Sequence, residues 1–191
     1  FDSSGLTLAL DGKTLLTVND KLRQLELFSL LPGQGGRVAR SFWKATGDAP
    51  KPLKKKRRLW LDLEGVTACQ GAYLVISEQY REVFRLSPRN STWTRHPIAL
   101  GRYERKARRR HPLPRFSLNR NAGYEGIACD EDGKRLFVVQ ERQPRMVFVV
   151  ALPKLWHPGE SLRVLPHFDL PSLELPRKVG NAWMEPDFAG A

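Results

Sequence analysis

Short runs of apolar and β-branched residues, each placed behind a tight turn, recur along the chain. "LDGKTLLTVND" at residues 10–20 is matched by "EDGKRLFVVQE" at 131–141, and "QGAYLVISE" at 70–78 repeats the pattern two residues shorter. An Asp-Gly or similar pair between two such runs is a hairpin signal, because glycine supplies the positive φ of a tight turn. A further apolar run follows each time, as "LELFSL", "EVFRLS" and "MVFVVAL". The pattern predicts strand, turn, strand and strand, three times over.

The repeat extends upstream of each turn. "DSSGLT" at 2–7, "DLEGVT" at 62–67, "GYEGIA" at 123–128 and "DFAGA" at 187–191 align on Gly5, Gly65, Gly126 and Gly190, which are 60, 61 and 64 residues apart. A sixty-residue β-meander that recurs predicts an all-β fold, a β-propeller of four-stranded antiparallel blades that bury their faces on one another. The units run from about 1 to 60, 61 to 121 and 122 to 186, with 187–191 opening a fourth. Propellers close with about four to eight blades, so three blades and the start of a fourth read as one domain forming part of a larger propeller of five or six blades. A β-sandwich of similar hairpins is the alternative. The 14 Pro and 15 Gly leave few windows for a helix. "SLLPGQGGRVARS" and "HPLPRFSLNRNAG" read as loops, and the segments 41–58 and 102–116 as insertions between blades.

"DLEGVT…YLVISEQYREVFRLS" followed by "NAGYEGIACDEDGKRLFVVQERQPRMVFVV" resembles the bacterial SdiA-regulated family and the related group called esterase-like activity of phytase, with "QERQPR" leaning towards the former. The resemblance covers most of the chain and implies a β-propeller, an exported or periplasmic location, bound calcium and, for one branch, phosphoester hydrolysis. The chain departs from the pattern at Ser4 and Ala189, where the second and third units carry Glu.

Composition adds one strong feature. An apolar share of 41% and a charged share of 27% over 191 residues are ordinary for a globular protein. No apolar run approaches the roughly 18 to 20 residues of a spanning helix, so no membrane span is expected. Lys and Arg number 32 against 20 Asp and Glu, a net +12 that attracts polyanions such as phosphorylated small molecules, acidic lipid or nucleic acid. Cys69 and Cys129 are too few for a disulfide framework, and their apolar neighbours predict buried thiols. "NST" at Asn90 fits a glycosylation sequon.

The acids raise the chemical question. In an antiparallel hairpin the start of the first strand lies beside the end of the second, so Glu64 is expected near Glu78, Glu125 near Glu141, and Ser4 near Asp20. With first strands innermost, these positions gather at one rim of the channel. Crowded carboxylates repel unless a cation or hydrogen-bond donors offset them, and hard divalent ions take oxygen ligands of this kind. Asp20, Glu64, Glu78, Glu125 and Glu141 are therefore candidate metal ligands; the competing reading is internal pairing with Arg23, Arg81, Arg142 or Arg145.

Two basic insertions, "KPLKKKRRLW" and "RYERKARRRHPLPR", precede the second and third units and fall on the same rim. Lys55, Arg57, Arg108, Arg109 and Arg110 are candidate ligands for phosphate oxygens. Trp43, Trp60 and Trp93 could stack on bases, but no nucleic-acid motif accompanies them. No G-x-S-x-G elbow and no zinc-type histidine spacing occurs, and three of the four histidines precede Pro and read as loop punctuation. His111 alone is a candidate general acid. The function expected is a propeller domain that binds a divalent cation and a phosphorylated ligand, with metal-assisted phosphoester hydrolysis in which Glu125 and Glu141 hold the metal or accept a proton. The alternative is a non-catalytic scaffold whose basic loops grip an acidic partner, nucleic acid or an anionic surface.

Overall fold

The structure is a computed structural model that describes residues 3–21, 25–30, 38–45, 61–99, 123–140 and 146–165. Among them are twelve β-strands and no helix. β1 (Ser3–Leu8), β2 (Leu15–Asn19), β3 (Glu26–Leu30) and β4 (Val38–Lys44) form an antiparallel sheet in chain order, the first module. β5 (Leu63–Cys69), β6 (Ala72–Ser77), β7 (Glu82–Leu86) and β8 (Trp93–Ala99) form the second. β9 (Tyr124–Cys129), β10 (Arg135–Gln140), β11 (Met146–Ala151) and β12 (Leu162–Val164) form the third.

The second and third modules share one eight-stranded sheet, because β12 pairs parallel to β8 through Leu162 with Ile98 and Arg163 with Ala99. The ends of this sheet, β5 and β9, return alongside each other, where the Cys129 N–H donates to Thr67 Oγ1 at 3.3 Å. The sheet is thus nearly closed and barrel-like, not two separate blades.

Each inter-module space is filled by side chains whose strand parity selects the face. Tyr73, Val75 and Phe84 point at the first module and pack with Leu16, Val18 and Leu27. Leu74, Ile76 and Val83 point the other way and pack with Leu136, Val138 and Phe148. Both faces of β6 are therefore buried, which explains why "AYLVIS" is continuously apolar where a half-exposed strand would alternate. In the second module the turn between the first two strands is two residues, Gln70 and Gly71, both at positive φ (49° and 69°), as a type I′ hairpin requires. The longer turns of the other modules are held by Asp11 and Asp130, whose carboxylates accept the N–H groups of Lys13 and Thr14, and of Lys134 and Arg135.

The aligned glycines permit close approach of the innermost strands. A Cβ on Gly5 would lie 2.7 Å from the Gly65 Cα, and one on Gly65 would lie 3.0 Å from the Ile127 N. Side chains there would force β1, β5 and β9 apart.

Several sequence expectations need correction. "SLLPGQGGRVARS" is not all loop, and the insertion assigned to 41–58 begins inside a strand: β4 spans Val38–Lys44, with Trp43 buried in the core and its Nε1 donating to the Ser87 carbonyl at 3.0 Å. His96 and Pro97 lie within β8, and His96 is fully buried between Thr94 and the Glu160 carbonyl. Cys69 and Cys129 are not thiols but a disulfide. Each stands near the end of its module's first strand, so the sixty-residue repeat that separates them in sequence brings them together in space.

Candidate functional site

The first strands each carry an irregularity near their start, at matching positions in β5 and β9 and one residue later in β1. Pairing with the second strand skips Gly5 in β1, Glu64 in β5 and Glu125 in β9. A β-bulge leaves its extra residue outside the ladder and re-aims the side chain, and bulges concentrate beside functional sites. The Glu-Gly pairs of the sequence are these bulges, and each sits at the start of an inner strand.

Around the first two bulges four carboxylates converge. Single ligand oxygens of Asp20, Asp62 and Glu64 all lie within 4.8 Å of one another. Asp20 follows β2, Asp62 precedes β5 with its backbone at φ 52°, and Glu64 is the bulged residue itself. Glu78, buried at the end of β6, donates its backbone N–H to the Asp62 carbonyl at 2.9 Å and accepts the Gly123 N–H at 3.0 Å on Oε1. The approach of Gly123 is tight: a Cβ there would lie 2.2 Å from the Glu78 Cγ.

Electrostatics follow from this crowding. Burial pushes the Asp62 carboxyl up to about 7, helped by the charges of Glu78 and Glu64, by hydrogen bonding to Glu78 and by the charge of Asp20. Glu64 is also raised, first by burial; Asp20 and Glu78 add to the rise, while the Ser4 hydroxyl and Lys21 oppose it. Ser4 donates to Glu64 Oε2 at 2.8 Å across the module boundary, and Lys21 forms an ion pair with Asp20. The group therefore has a donor on one side and a lysine at its margin, against four acids. A set of carboxylate oxygens half-buried at this spacing suits a hard divalent cation.

The structure brings Asp20, Glu64 and Glu78 together, and adds Asp62, which the sequence reading passed over. Its signal was the D-x-E spacing of "DLEG", two residues apart at a strand start. Glu125 is half-buried in the equivalent bulge of β9 and is not one of the three clustered acids. Glu141, Lys55, Arg57, Arg108, Arg109, Arg110 and His111 lie outside the described residues, as do Arg23, Arg142, Arg145 and Trp60. Trp93 packs edge-on against Phe84 with ring centroids 5.9 Å apart, a structural contact. His157 is exposed on the turn before β12. No helix among the described residues is long and apolar enough to cross a membrane.

Comparison with solved structures adds the fold. A Bacteroides uniformis protein provisionally named a 6-phosphogluconolactonase superposes with a TM-score of 0.50 at 12% identity, over 85% of this chain and 39% of that one. The chain therefore spans about two fifths of that structure's length, and at this identity the likeness is one of fold. Glutaminyl cyclase from Myxococcus xanthus is matched at 16% identity over 86% of this chain and 74% of that one, with a TM-score of 0.37. Residues 1–165 match the SdiA-regulated family along the three modules described above, and the chain belongs to that β-propeller-like family.

Proposed function

We propose that this propeller-like, enzyme-like domain binds a divalent cation, with calcium the first candidate, through Asp20, Asp62, Glu64 and Glu78. One observation carries the reading: three of these acids place ligand oxygens within 4.8 Å of one another. Without a cation, the Ser4 hydroxyl and Lys21 offset part of the crowding, and the rise of Asp62 to about 7 shows that burial and the neighbouring acids still favour its protonated form. The ligand in this reading is phosphorylated. The bound ion would grip one set of phosphate oxygens, and Lys55, Arg57, Arg108, Arg109 and Arg110, which precede the second and third modules in sequence, would meet others. Glu125 and Glu141 are the proposed proton acceptors or further ligands for metal-assisted phosphoester hydrolysis. An exported location is part of the proposal, since disulfides such as Cys69–Cys129 persist in oxidising compartments.

Calorimetric titration of calcium at pH 8 tests the site. Glu64→Gln should weaken binding by about 10-fold to 100-fold, on the scale set by loss of groups at metal sites. Heat absent from the unaltered protein, or equal affinity in the variant, would remove the cation from the proposal. Turnover of phosphoesters that ignores chelator would leave the cation without a catalytic part.

A further inference from the structure

The second and third modules meet at a joint that is short in backbone pairing and rich in side-chain contacts. β12 has three residues where β4 and β8 have seven each, and it pairs with β8 through two residue pairs and with β11 through two. The segment that leads into it, residues 152–161, is a strap laid across β8, and its residues 154, 155 and 157–161 are exposed. The Gly159 N–H donates to the Arg95 carbonyl at 3.0 Å. The Gln70 amide donates to the Pro153 carbonyl at 3.2 Å and accepts the Trp156 indole N–H at 2.5 Å, and the Glu160 carbonyl accepts from His96 Nδ1 at 3.2 Å. Few backbone bonds and much exposed surface mark a segment that can open while the rest of a fold stays closed.

Of these anchors only His96 titrates near neutral pH. Its ring is fully buried and packs edge-to-face with Trp156, centroids 4.7 Å apart. A carbonyl only accepts, so Nδ1 carries the hydrogen; in the neutral ring Nε2 is then bare and takes the Thr94 hydroxyl at 2.7 Å. A second proton, on Nε2, would turn that hydroxyl round and put a full charge in a buried site. The surrounding charges give it little help. Arg85 of β7 lies with its guanidinium 5.5 Å from the centre of the same indole ring, its Nε buried and without a hydrogen-bond partner among the described residues. Glu82 of β7 is engaged by Arg95 of β8 through two bonds, at 2.8 and 2.9 Å. Lys154, His157 and Glu160 of the strap and Arg163 of β12 are exposed. Burial accordingly holds the His96 ring below its ordinary value; the bond to the Glu160 carbonyl opposes this, the Arg85 charge adds to it, and the charges of Glu160 and Glu82 oppose it.

We propose that His96 is an acid-sensitive latch for this strap: uptake of a proton by its ring releases residues 153–164 from β8 and opens the joint between the second and third modules. Release lets water solvate the imidazolium that the closed joint would bury beside Arg85. The opening stays local, because Leu74, Ile76 and Val83 remain packed with Leu136, Val138 and Phe148, and the Cys69–Cys129 disulfide holds β5 to β9. By linkage, a base whose folded value is lowered contributes stability that is present above its ordinary 6.5 and is lost as pH falls below it.

Hydrogen exchange of the full chain, read by mass spectrometry and corrected for the intrinsic pH dependence of amide exchange, tests the latch. Melting would not separate it, since protonation of Asp62 at the acidic rim acts with the opposite sign. The opening constant of the strap and β12 should rise by up to about 30-fold between pH 7.5 and pH 5, the limit for a ring that titrates at its ordinary value only when released. Ala72–Ser77 of β6 should stay protected at both. His96→Gln, whose amide can donate to the Glu160 carbonyl and accept from Thr94 without titrating, should open equally at the two pH values. Arg85→Met, at a half-buried position, should give a smaller ratio between them whatever its opening at either, because the protonated ring then meets no cation there. Equal opening of the unaltered strap at both pH values, an acid response kept in His96→Gln, an undiminished response in Arg85→Met, or loss of β6 protection along with the strap overturns the proposal.

Discussion

The two ends of the innermost strands follow opposite rules. At the far rim, where β5 and β9 finish, a covalent bond and several hydrogen bonds tie one module to the next. Cys69 and Cys129 are bonded covalently, and the Gln70 side chain donates to the Gly133 carbonyl at 2.6 Å and the Pro153 carbonyl at 3.2 Å. The Trp156 indole N–H donates to Gln70 Oε1. At the acidic rim, where the same strands begin, Asp20, Asp62, Glu64 and Glu78 crowd together, and the cost of ionising Asp62 and Glu64 rises. One end is built to hold the modules in place. The other keeps an electrostatic cost that a proton on Asp62 relieves and that the proposed cation would relieve.

The largest expected effect lies at the far rim. A disulfide between residues 60 apart constrains the unfolded chain by up to about 4 kcal/mol on the loop-closure scale. Cys69→Ser with Cys129→Ser should lower the denaturant midpoint accordingly, and reductant should reproduce the loss in the unaltered chain but not in the variant. Insensitivity to both would mean that the far rim is held by its hydrogen bonds alone, and the contrast between the rims would weaken.

A smaller loss is expected where the strands are nearest. Gly5 has φ 65°, and a Cβ there would meet Gly65 Cα at 2.7 Å and Val66 N at 2.9 Å, all backbone that cannot swing aside. Gly5→Ala should cost about 2 to 3 kcal/mol from overpacking and left-handed backbone together. Gly12 shares the positive φ but has nothing within 4 Å of its would-be Cβ, so Gly12→Ala should lose only the backbone part, about 1 kcal/mol. Equal losses in the two variants would show that strand contact is not what the aligned glycine protects.

How much of this was legible in the sequence depends on whether the signal was local or repeated. The hairpins were readable because Asp11-Gly12, Gln70-Gly71 and Asp130 to Gly133 mark turns by their own chemistry. The gathering of Glu64 with Glu78 and Asp20 followed from antiparallel pairing and the repeat. β4 was hidden because glycine and proline just upstream dominate its neighbourhood, while tertiary packing of Trp43 decides its conformation. The disulfide was missed because an apolar setting fits a buried thiol and a bridge equally well; the clue was that Cys69 and Cys129 occupy nearly matching repeat positions. Asp62 escaped because it stands outside the strand, and its carboxyl reaches the cluster through a positive-φ backbone that no periodicity encodes. The parallel join of β8 to β12 rests on two residue pairs, too few to leave a pattern.

The smallest expected change concerns the acidic rim and has a sign that depends on conditions. Asp62 rises from 3.8 to about 7, so between those values the folded state holds a proton that the unfolded chain has released. Stability from this group is therefore fully present below about pH 4 and falls as pH climbs through 7. Asn mimics the protonated acid, so Asp62→Asn without metal should be more stable than the unaltered chain at pH 8, with the two melting curves converging below pH 5. Asp62 is half-buried, and discounted for the solvent that reaches it the gain is below about 1 kcal/mol, or at most about 3 °C in Tm. Calcium at pH 8 should reverse the order, because the cation stabilises only the protein that binds it, and its affinity for the unaltered chain should drop as pH falls from 8 to 6 and Asp62 takes up its proton. If Asp62→Asn melts lower than the unaltered chain at pH 8 without metal, the carboxylate is held by partners that offset its burial, and the acidic rim is as settled as the far one.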